Sequence, residues 1–356
     1  MNTRLSASCI AGLALMGGVW IAEVSLAGQV AAPSSATGEA PANWEAPRTS
    51  WGHPDLQGVW DPTTGTPLQR PARYKDREFL TDQEAAEREK ARFAQFDNPD
   101  RGPRNPTGDY GSVWREGSKN ALNRTSLIID PPDGRLPALT ESAKQAAATK
   151  RAIRARRGPA DDWTDLTLWT RCITRGTPRI PNNYNSNLHI VQTADRVTIF
   201  YEMVHETRTV YLDGRPHVGA GIRLWNGDSR GRWEGQTLVV ETTNFNEQQE
   251  FEGFSLRNAT LTERFARIAP DQIDYRFTIT DPSTYTRPVT VILPMVANEQ
   301  PYYEYACHEG NYGLEGILAG HRLEERTGKK STGRYGDEGA APAPQQDQRE
   351  AKPTRR

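Results

Sequence analysis

Cysteine is scarce in this chain, which has three cysteines among 356 residues and no CxxC spacing. Neither a zinc site built from cysteine pairs nor a dense disulfide framework is therefore expected. An excess of one charge is also missing, because 44 lysines and arginines face 45 aspartates and glutamates. This balance excludes the broad basic surface of a nucleic-acid-binding protein, so we predict no nucleic-acid partner.

Long apolar runs are confined to the N-terminus. No later run approaches the ~20 residues that a membrane helix needs, so we predict no transmembrane segment in the mature chain. Residues 1–27 resemble a signal peptide: Arg4 precedes an apolar stretch, and Ser25 and Ala27 are small residues before the cleavage point. An uncleaved anchor helix is the alternative. We predict export to the periplasm or the cell exterior after cleavage near Ala27; the sequence leaves the oligomeric state open.

Export changes the interpretation of the cysteines. Cys9 leaves with the signal peptide, and the mature chain keeps Cys172 and Cys307. Two cysteines in an oxidising compartment have one possible pairing, and we predict a disulfide between them. A thiol nucleophile or a metal thiolate is the alternative, although no local motif supports either.

Composition and pattern divide the chain into five parts. We predict a signal peptide at 1–27, a flexible leader at 28–50, an N-terminal wrapping segment with two helices at 51–160, a β-barrel core at 161–323 and a disordered tail at 324–356. The helices begin at a capping box of Thr81 and Glu84 and at Thr140.

The second half of the chain has the alternating pattern of β-strands. Apolar residues alternate with polar ones from Val197 to His205 and again from Ile273 to Ile279, and residues 302–307 are predicted as a further strand. Asp213 and Gly214 indicate a hairpin turn. We predict a mainly β fold, an antiparallel meander closed into a lipocalin-like β-barrel, because closure removes the edges of such a sheet. A β-sandwich is the alternative.

Strong catalytic signatures are absent. The sequence has no HExxH, GxSxG, Walker loop or dinucleotide fingerprint after a strand, and we predict no cofactor. The six histidines are widely spaced, so no metal site is predicted. A facial arrangement of His205, His308 and a glutamate is the remaining possibility for a metal.

Polar residues on predicted strands are the candidates for acid–base chemistry. Glu304 and His308 share one face of the last predicted strand, where a carboxylate beside an imidazole can move a proton. His205 and Glu202 point to opposite faces of another strand, so only one of them lines the barrel. These four are the candidate catalytic residues, and hydrogen-bonded structural roles are the alternative.

Loops near the barrel mouth supply candidate ligand-binding residues. An amide-rich loop follows Cys172, and a polar-aromatic cluster precedes the GDSRGRWEG hairpin. We predict a small organic ligand in contact with Arg179, Asn183, Tyr184, Tyr201, Arg223, Trp225, Asn311 and Tyr312.

Three functions are compatible with this pattern. The leading hypothesis is ligand binding in a barrel pocket. The second is a cofactor-independent lyase, isomerase or hydrolase that uses His, Glu and Tyr for acid–base chemistry. The third is a structural module of the cell envelope, which predicts a filled barrel without a pocket.

Four motifs carry a family resemblance that spans about residues 50–325. They read WGHPDLQGVW, RTSLIIDPPDGRLP, GDSRGRWEGQTLVVETTNF and YEYACHEGNYG. Together they resemble a large family of exported proteins from soil and other environmental bacteria, for which no activity is established. The resemblance implies export and a β-rich fold, and it transfers no catalytic residue.

Overall fold

Residues 44–96, 122–158, 160–181 and 185–328 are described by a computed structural model of the protein. All of them belong to one compact unit, Ala31–Arg356. The α-helices in these residues are α1 (Asp82–Phe96), α2 (Glu141–Arg154) and α3 (Tyr312–Thr327). The strands are β1 (Gly58–Asp61), β2 (Ile128–Asp130), β3 (Leu188–Gln192), β4 (Arg196–Tyr201), β5 (Glu206–Tyr211), β6 (Asp228–Glu234), β7 (Thr237–Thr243), β8 (Glu250–Phe251), β9 (Phe254–Ser255), β10 (Thr260–Ala269), β11 (Gln272–Thr280), β12 (Val289–Ile292) and β13 (Met295–Ala297).

Nine strands close into a β-barrel, which confirms the predicted fold class. Their order is β10-β7-β6-β5-β4-β3-β1-β13-β11, and β11 pairs with β10 to complete the ring. Strands β12 and β2 extend the sheet beyond β11. Closure pairs the edges that an open sheet of this size would expose.

The segment that contains WGHPDLQGVW contributes a strand to this ring. β1 pairs with β3 on one side and β13 on the other, and the Trp60 side chain is buried in the core. Its Nε1 donates to the Leu56 carbonyl at 2.9 Å, and the Leu56 amide donates to Gln192 Oε1 at 2.6 Å. The predicted wrapping segment therefore supplies part of the barrel wall.

Two predicted strand connections are wrong. β4 ends at Tyr201, because Val204 and His205 take positive φ angles of 65° and 52° in a tight turn that reverses the chain into β5. β5 does not continue into a hairpin at Asp213 and Gly214. It pairs with β6 in parallel, so residues 212–227 form a crossover connection.

Two other hairpins follow the sequence pattern. β10 and β11 pair in register from Thr260↔Thr280 to Ala269↔Gln272, around the turn predicted at residues 269–272. β6 and β7 meet at Gly235, whose φ of 62° suits a residue without a Cβ atom. The inward positions of these strands, such as Leu261 and Phe277, are almost fully buried.

Helices α1 and α2 begin where the sequence predicts. The Thr81 amide donates to Glu84 Oε2 at 2.8 Å, and the Glu84 amide donates to Thr81 Oγ1 at 3.2 Å, which is a capping box. Thr140 Oγ1 accepts from the Ala143 amide at 3.1 Å at the start of α2. Side-chain oxygens at these positions satisfy amides that lack an intrahelical partner.

The sequence analysis missed helix α3. Asn311 caps it by accepting from the Leu314 amide at 3.3 Å, and Gly328 ends it with a positive φ of 65°. The helix runs past residue 324, where the tail was predicted to begin. Residues 44–50 of the predicted leader also have contacts, because Trp44 Nε1 donates to the Arg267 carbonyl at 3.2 Å.

The last predicted strand, at residues 302–307, does not form. β13 ends at Ala297 with β1 on one side and β11 on the other, and the barrel is closed elsewhere by β10 and β11. No ladder position is therefore open beside β13, and the chain leaves the sheet. Glu304 and His308 consequently lie exposed on the outside of the fold.

The predicted disulfide is confirmed. Cys172 and Cys307 are joined with their Cα atoms 5.7 Å apart. The bond connects the segment before Arg179 to the segment between β13 and α3. Among the helices that the structure describes, none has the length and apolar character needed to span a bilayer.

Candidate functional site

A narrow pocket opens at one end of the barrel. Its empty volume is about 350 Å³, a figure that includes space open to solvent, and little of that space is wide enough for a water molecule. Strands β3, β4, β10, β11 and β13 and the adjoining loops supply the lining residues, which are Pro62, Arg179, Pro181, Ser186, Leu188, Tyr201, Glu263, Phe265, Tyr275, Leu293 and Met295.

Glu263, which lines the pocket, belongs to a buried ion pair. Arg208 on β5 and Glu263 on β10 are 3 % and 1 % exposed, so water does not screen their attraction. The guanidinium contacts both carboxylate oxygens, with Arg208 Nη2 donating to Glu263 Oε1 at 2.9 Å. The Tyr275 hydroxyl donates to the same oxygen at 2.8 Å. The carboxylate of Glu263 is therefore fully engaged by protein donors.

This network determines the charge states of its members. Burial acts to lower the pKa of Arg208, but the negative charge of Glu263 outweighs it and raises that pKa above its ordinary value. Burial, together with the Glu263 charge, raises the pKa of Tyr275 well above its usual range. Arg208 and Glu263 thus form a charged pair beside a neutral phenol at physiological pH.

Arg179 provides a second guanidinium without such a partner. The residue as a whole is half-buried, but Nε, Nη1 and Nη2 are all shielded from solvent and have no hydrogen-bond partner in the described part of the chain. Burial, followed by the charge of Arg175, lowers the pKa of Arg179 to about 10. The group still carries its positive charge at neutral pH.

Tyr201 lies between the two guanidinium groups. Its ring centroid is 5.8 Å from the Arg179 guanidinium carbon and 6.0 Å from that of Arg208. Burial raises the pKa of Tyr201, so the ring remains a neutral phenol. One aromatic ring is therefore close both to the guanidinium paired with Glu263 and to the guanidinium that has no hydrogen-bond partner in the described residues.

Comparison with protein-family models, curated proteins and solved structures finds no match for this chain. The chemistry of the pocket is therefore inferred from the residues that line it.

Glu202 has a structural position near the same end of the barrel. It is 3 % exposed, and its carboxylate accepts from Asn187 Nδ2 at 2.8 Å, from the Asn187 amide at 3.2 Å and from Asn185 Nδ2 at 3.2 Å. These contacts join the end of β4 to the segment before β3. Glu202 was a candidate catalytic residue, but it does not line the pocket.

Tyr302 packs against this end of the barrel. Its ring centroid is 5.6 Å from that of His189 and 6.1 Å from that of His205, and its buried hydroxyl has no hydrogen-bond partner in residues 44–328 that the structure describes. Burial and the negative charge of Glu202 raise the pKa of Tyr302, while the charge of Arg179 acts in the opposite direction. Tyr302 therefore remains a protonated phenol.

The structure does not bring the candidate catalytic residues together in the pocket. His205 is exposed in the turn between β4 and β5, and Glu304 and His308 are exposed in the segment after β13. The prediction that Glu304 and His308 share one face of a strand is wrong, because residues 302–307 do not form a strand. The prediction that His205 or Glu202 lines the interior fails because the chain turns immediately after Tyr201.

Two of the predicted ligand-binding residues, Arg179 and Tyr201, line the pocket. Arg223 donates to the Arg257 carbonyl at 2.9 Å, and Trp225 is partly exposed in the same crossover connection. Asn311 caps α3, and Tyr312 is 78 % exposed, so neither contacts the pocket. Asn183 and Tyr184 lie outside the described residues.

Sequence reasoning missed Arg208, Glu263 and Tyr275. A signal was present, because Glu263 interrupts an apolar face between Leu261 and Phe265. A charged residue at an inward strand position is rarely buried without a partner. No group of three or more potential metal ligands is found among the residues that the structure describes.

Proposed function

We propose that the protein binds a small organic ligand in the pocket at the end of its β-barrel. The observation that carries this proposal is the buried guanidinium of Arg179, which has no protein partner among the described residues and lines the pocket. A buried charge costs several kcal/mol when nothing compensates it. A bound molecule that supplies the missing acceptors accounts for this group, and the apolar walls around it are typical of small-molecule sites.

Binding is favoured over acid–base catalysis for a specific reason. A catalytic group must come within hydrogen-bond reach of the bound substrate. His205 and His308 are exposed and do not line the pocket, while Glu263 does but already accepts from Arg208 and Tyr275. A cofactor-independent lyase, isomerase or hydrolase is therefore the alternative proposal. A purely structural envelope module is a third, and the unpaired charge in the pocket disfavours it.

Filling the pocket is expected to abolish ligand binding. Leu188→Trp places an indole against the pocket wall, and a metabolite extract should then fail to raise its melting temperature. For the unsubstituted protein we expect at least one compound to raise the melting temperature by about 5 °C or more at saturating concentration. Differential scanning fluorimetry, followed by mass spectrometry of the retained compound, measures both effects.

Leu212→Trp is the matched control for this experiment. Leu212 packs against the core without lining the pocket, so its substitution makes the same chemical change elsewhere. The control should lose some stability from overpacking and retain the ligand-induced shift. Binding that persists in Leu188→Trp, or an extract that contains no stabilising compound, would contradict the proposed function.

We also propose that the protein is exported and belongs to the bacterial family that its motifs resemble. The signal-like pattern of residues 1–27 and the Cys172–Cys307 disulfide support export. Expression of the full chain in a bacterial host should yield a product that begins near Gly28 outside the cytoplasm. Intact-mass measurement of each cell fraction checks this, and a full-length cytoplasmic product alone would refute it.

A further inference from the structure

We propose that the ligand of the barrel pocket is a slender monocarboxylate, with its carboxylate paired to Arg179 and its apolar tail against the pocket wall. This inference rests on the proposed function of the same pocket and specifies the class of ligand.

The charge of the ligand follows from the two guanidinium groups. Arg208 is neutralised by Glu263, which contacts it through both carboxylate oxygens. Arg179 has no ion-pair partner within the described residues, and its three nitrogens are buried without acceptors. The pocket thus keeps a positive charge in a region of low dielectric constant, which the carboxylate of Glu206 offsets only from a distance. A single negative charge on the ligand satisfies it.

The geometry of one guanidinium favours a carboxylate over a phosphate. Two parallel N–H groups of arginine match the two oxygens of a carboxylate. A phosphate presents more oxygens and charge than one arginine can satisfy, and phosphate sites usually add backbone amides or further cations. The narrowness of the pocket also favours the smaller planar group.

The opposite wall excludes a second carboxylate. Glu263 lines the pocket, and the donors near it, Arg208 and the Tyr275 hydroxyl, are already bonded to its own oxygens. A second negative group on the ligand would face this carboxylate without a free donor. Like charges brought together inside a protein repel each other strongly, so a dicarboxylate is disfavoured.

The remaining walls suit an apolar tail. Leu188, Phe265, Leu293 and Met295 present side chains without hydrogen-bonding groups to the pocket. Contact with these side chains removes apolar ligand surface from water, which is favourable. A short, unbranched aliphatic tail is the apolar group that best matches the narrow shape.

Replacing Arg179 should raise the melting temperature of the ligand-free protein and weaken its binding of carboxylates. Arg179→Met removes the uncompensated charge and keeps similar length, so the ligand-free protein should melt at a higher temperature. The same variant should bind carboxylates at least about 30-fold more weakly, as expected when one partner of a buried charge pair is lost. A merely structural arginine would lower the melting temperature when replaced.

The probes are butanoate, hexanoate and benzoate, each compared with its neutral amide at constant ionic strength. At least one carboxylate should raise the melting temperature of the unsubstituted protein, and its amide should not. Arg171→Met is the matched control, because Arg171 lies in the same segment, contacts Gln248 and Trp163, and does not line the pocket. Its binding should equal that of the unsubstituted protein. Arg179→Lys, which keeps the charge without the fork of donors, should bind more weakly than arginine and more tightly than methionine.

Three outcomes overturn the inference: equal shifts from carboxylate and amide, carboxylate binding that survives Arg179→Met, or no shift from any of the three carboxylates. If compounds from the metabolite extract bind in a manner that Leu188→Trp abolishes, the proposed function stands even when this inference fails. Comparison of acid and amide in the unsubstituted protein remains decisive if Arg179→Met does not fold.

Discussion

Glu263→Gln is expected to lower the free energy of unfolding by about 3–5 kcal/mol. Glutamine preserves the size of the side chain but leaves the Arg208 guanidinium buried without a counter-charge. Both side chains are almost inaccessible to water, at 3 % and 1 % exposure, so solvent cannot replace the lost partner. Tyr275 also loses a charged acceptor for its hydroxyl. Urea unfolding followed by tryptophan fluorescence measures the effect.

The exposed pair of Asp195 and Arg196 provides the control. Their side chains are 49 % and 46 % exposed, so Asp195→Asn should change the unfolding free energy far less than Glu263→Gln does. Replacing both Arg208 and Glu263 with methionine should recover much of the stability lost in the single variant, because no isolated charge remains. A loss below about 1 kcal/mol in Glu263→Gln would show that the pair contributes little.

Removal of the disulfide is the second large expected effect. The Cys172–Cys307 bond closes 135 residues of chain, for which the entropy of the unfolded state predicts about 5 kcal/mol as an upper value. We expect the Cys172→Ser/Cys307→Ser variant to lose about 2–5 kcal/mol. Asn311 Nδ2 lies 3.1 Å from Cys172 Sγ, so the start of α3 loses a neighbour as well.

A reducing agent gives the internal control for this prediction. Dithiothreitol should lower the urea midpoint of the unsubstituted protein towards that of the double serine variant. It should leave the variant unchanged, because its mature chain has no remaining cysteine. Equal midpoints for the oxidised protein and the variant would refute a stabilising role for the bond.

Local features of the fold were predictable from the sequence. Helix caps at Thr81 and Thr140 depend on side chains within three residues of the amides they satisfy. The β10–β11 hairpin depends on strict alternation on both sides of a short turn. The disulfide could be inferred because the predicted mature chain has only two cysteines. Each of these inferences needs little information about distant parts of the chain.

The errors arise where the outcome depends on distant segments or on unusual backbone angles. Alternation from Val197 to His205 continues through a turn, because the sequence does not reveal that Val204 adopts a positive φ, which β-branched residues rarely do. Residues 302–307 resemble a strand, but whether they pair depends on an unoccupied edge, and closure of the barrel leaves none beside β13. The alternation of apolar and polar residues does not show whether the edge of a neighbouring strand is free to pair.

In the candidate site, too, some residues were predictable from the sequence and others were not. Arg179 and Tyr201 were inferred from a loop and an inward strand position, and both line the pocket. Arg208 and Glu263 lie 55 residues apart in sequence, and only the formation of the ring, in which β7 and β6 separate β10 from β5, brings them into contact. A charged residue at an inward position indicates that a partner exists, but it does not identify that partner.

Because β1 lies between β3 and β13, the barrel cannot close until β13 has been synthesised. A ribosome makes β1 early and β13 last among the described strands, so β1 must keep one edge unpaired until residue 297 has been synthesised. Before that point the ring cannot close, and the Arg179 pocket lacks the wall contributed by Met295. Vectorial synthesis therefore leaves both the ring and its pocket unfinished until nearly the whole folded region is available.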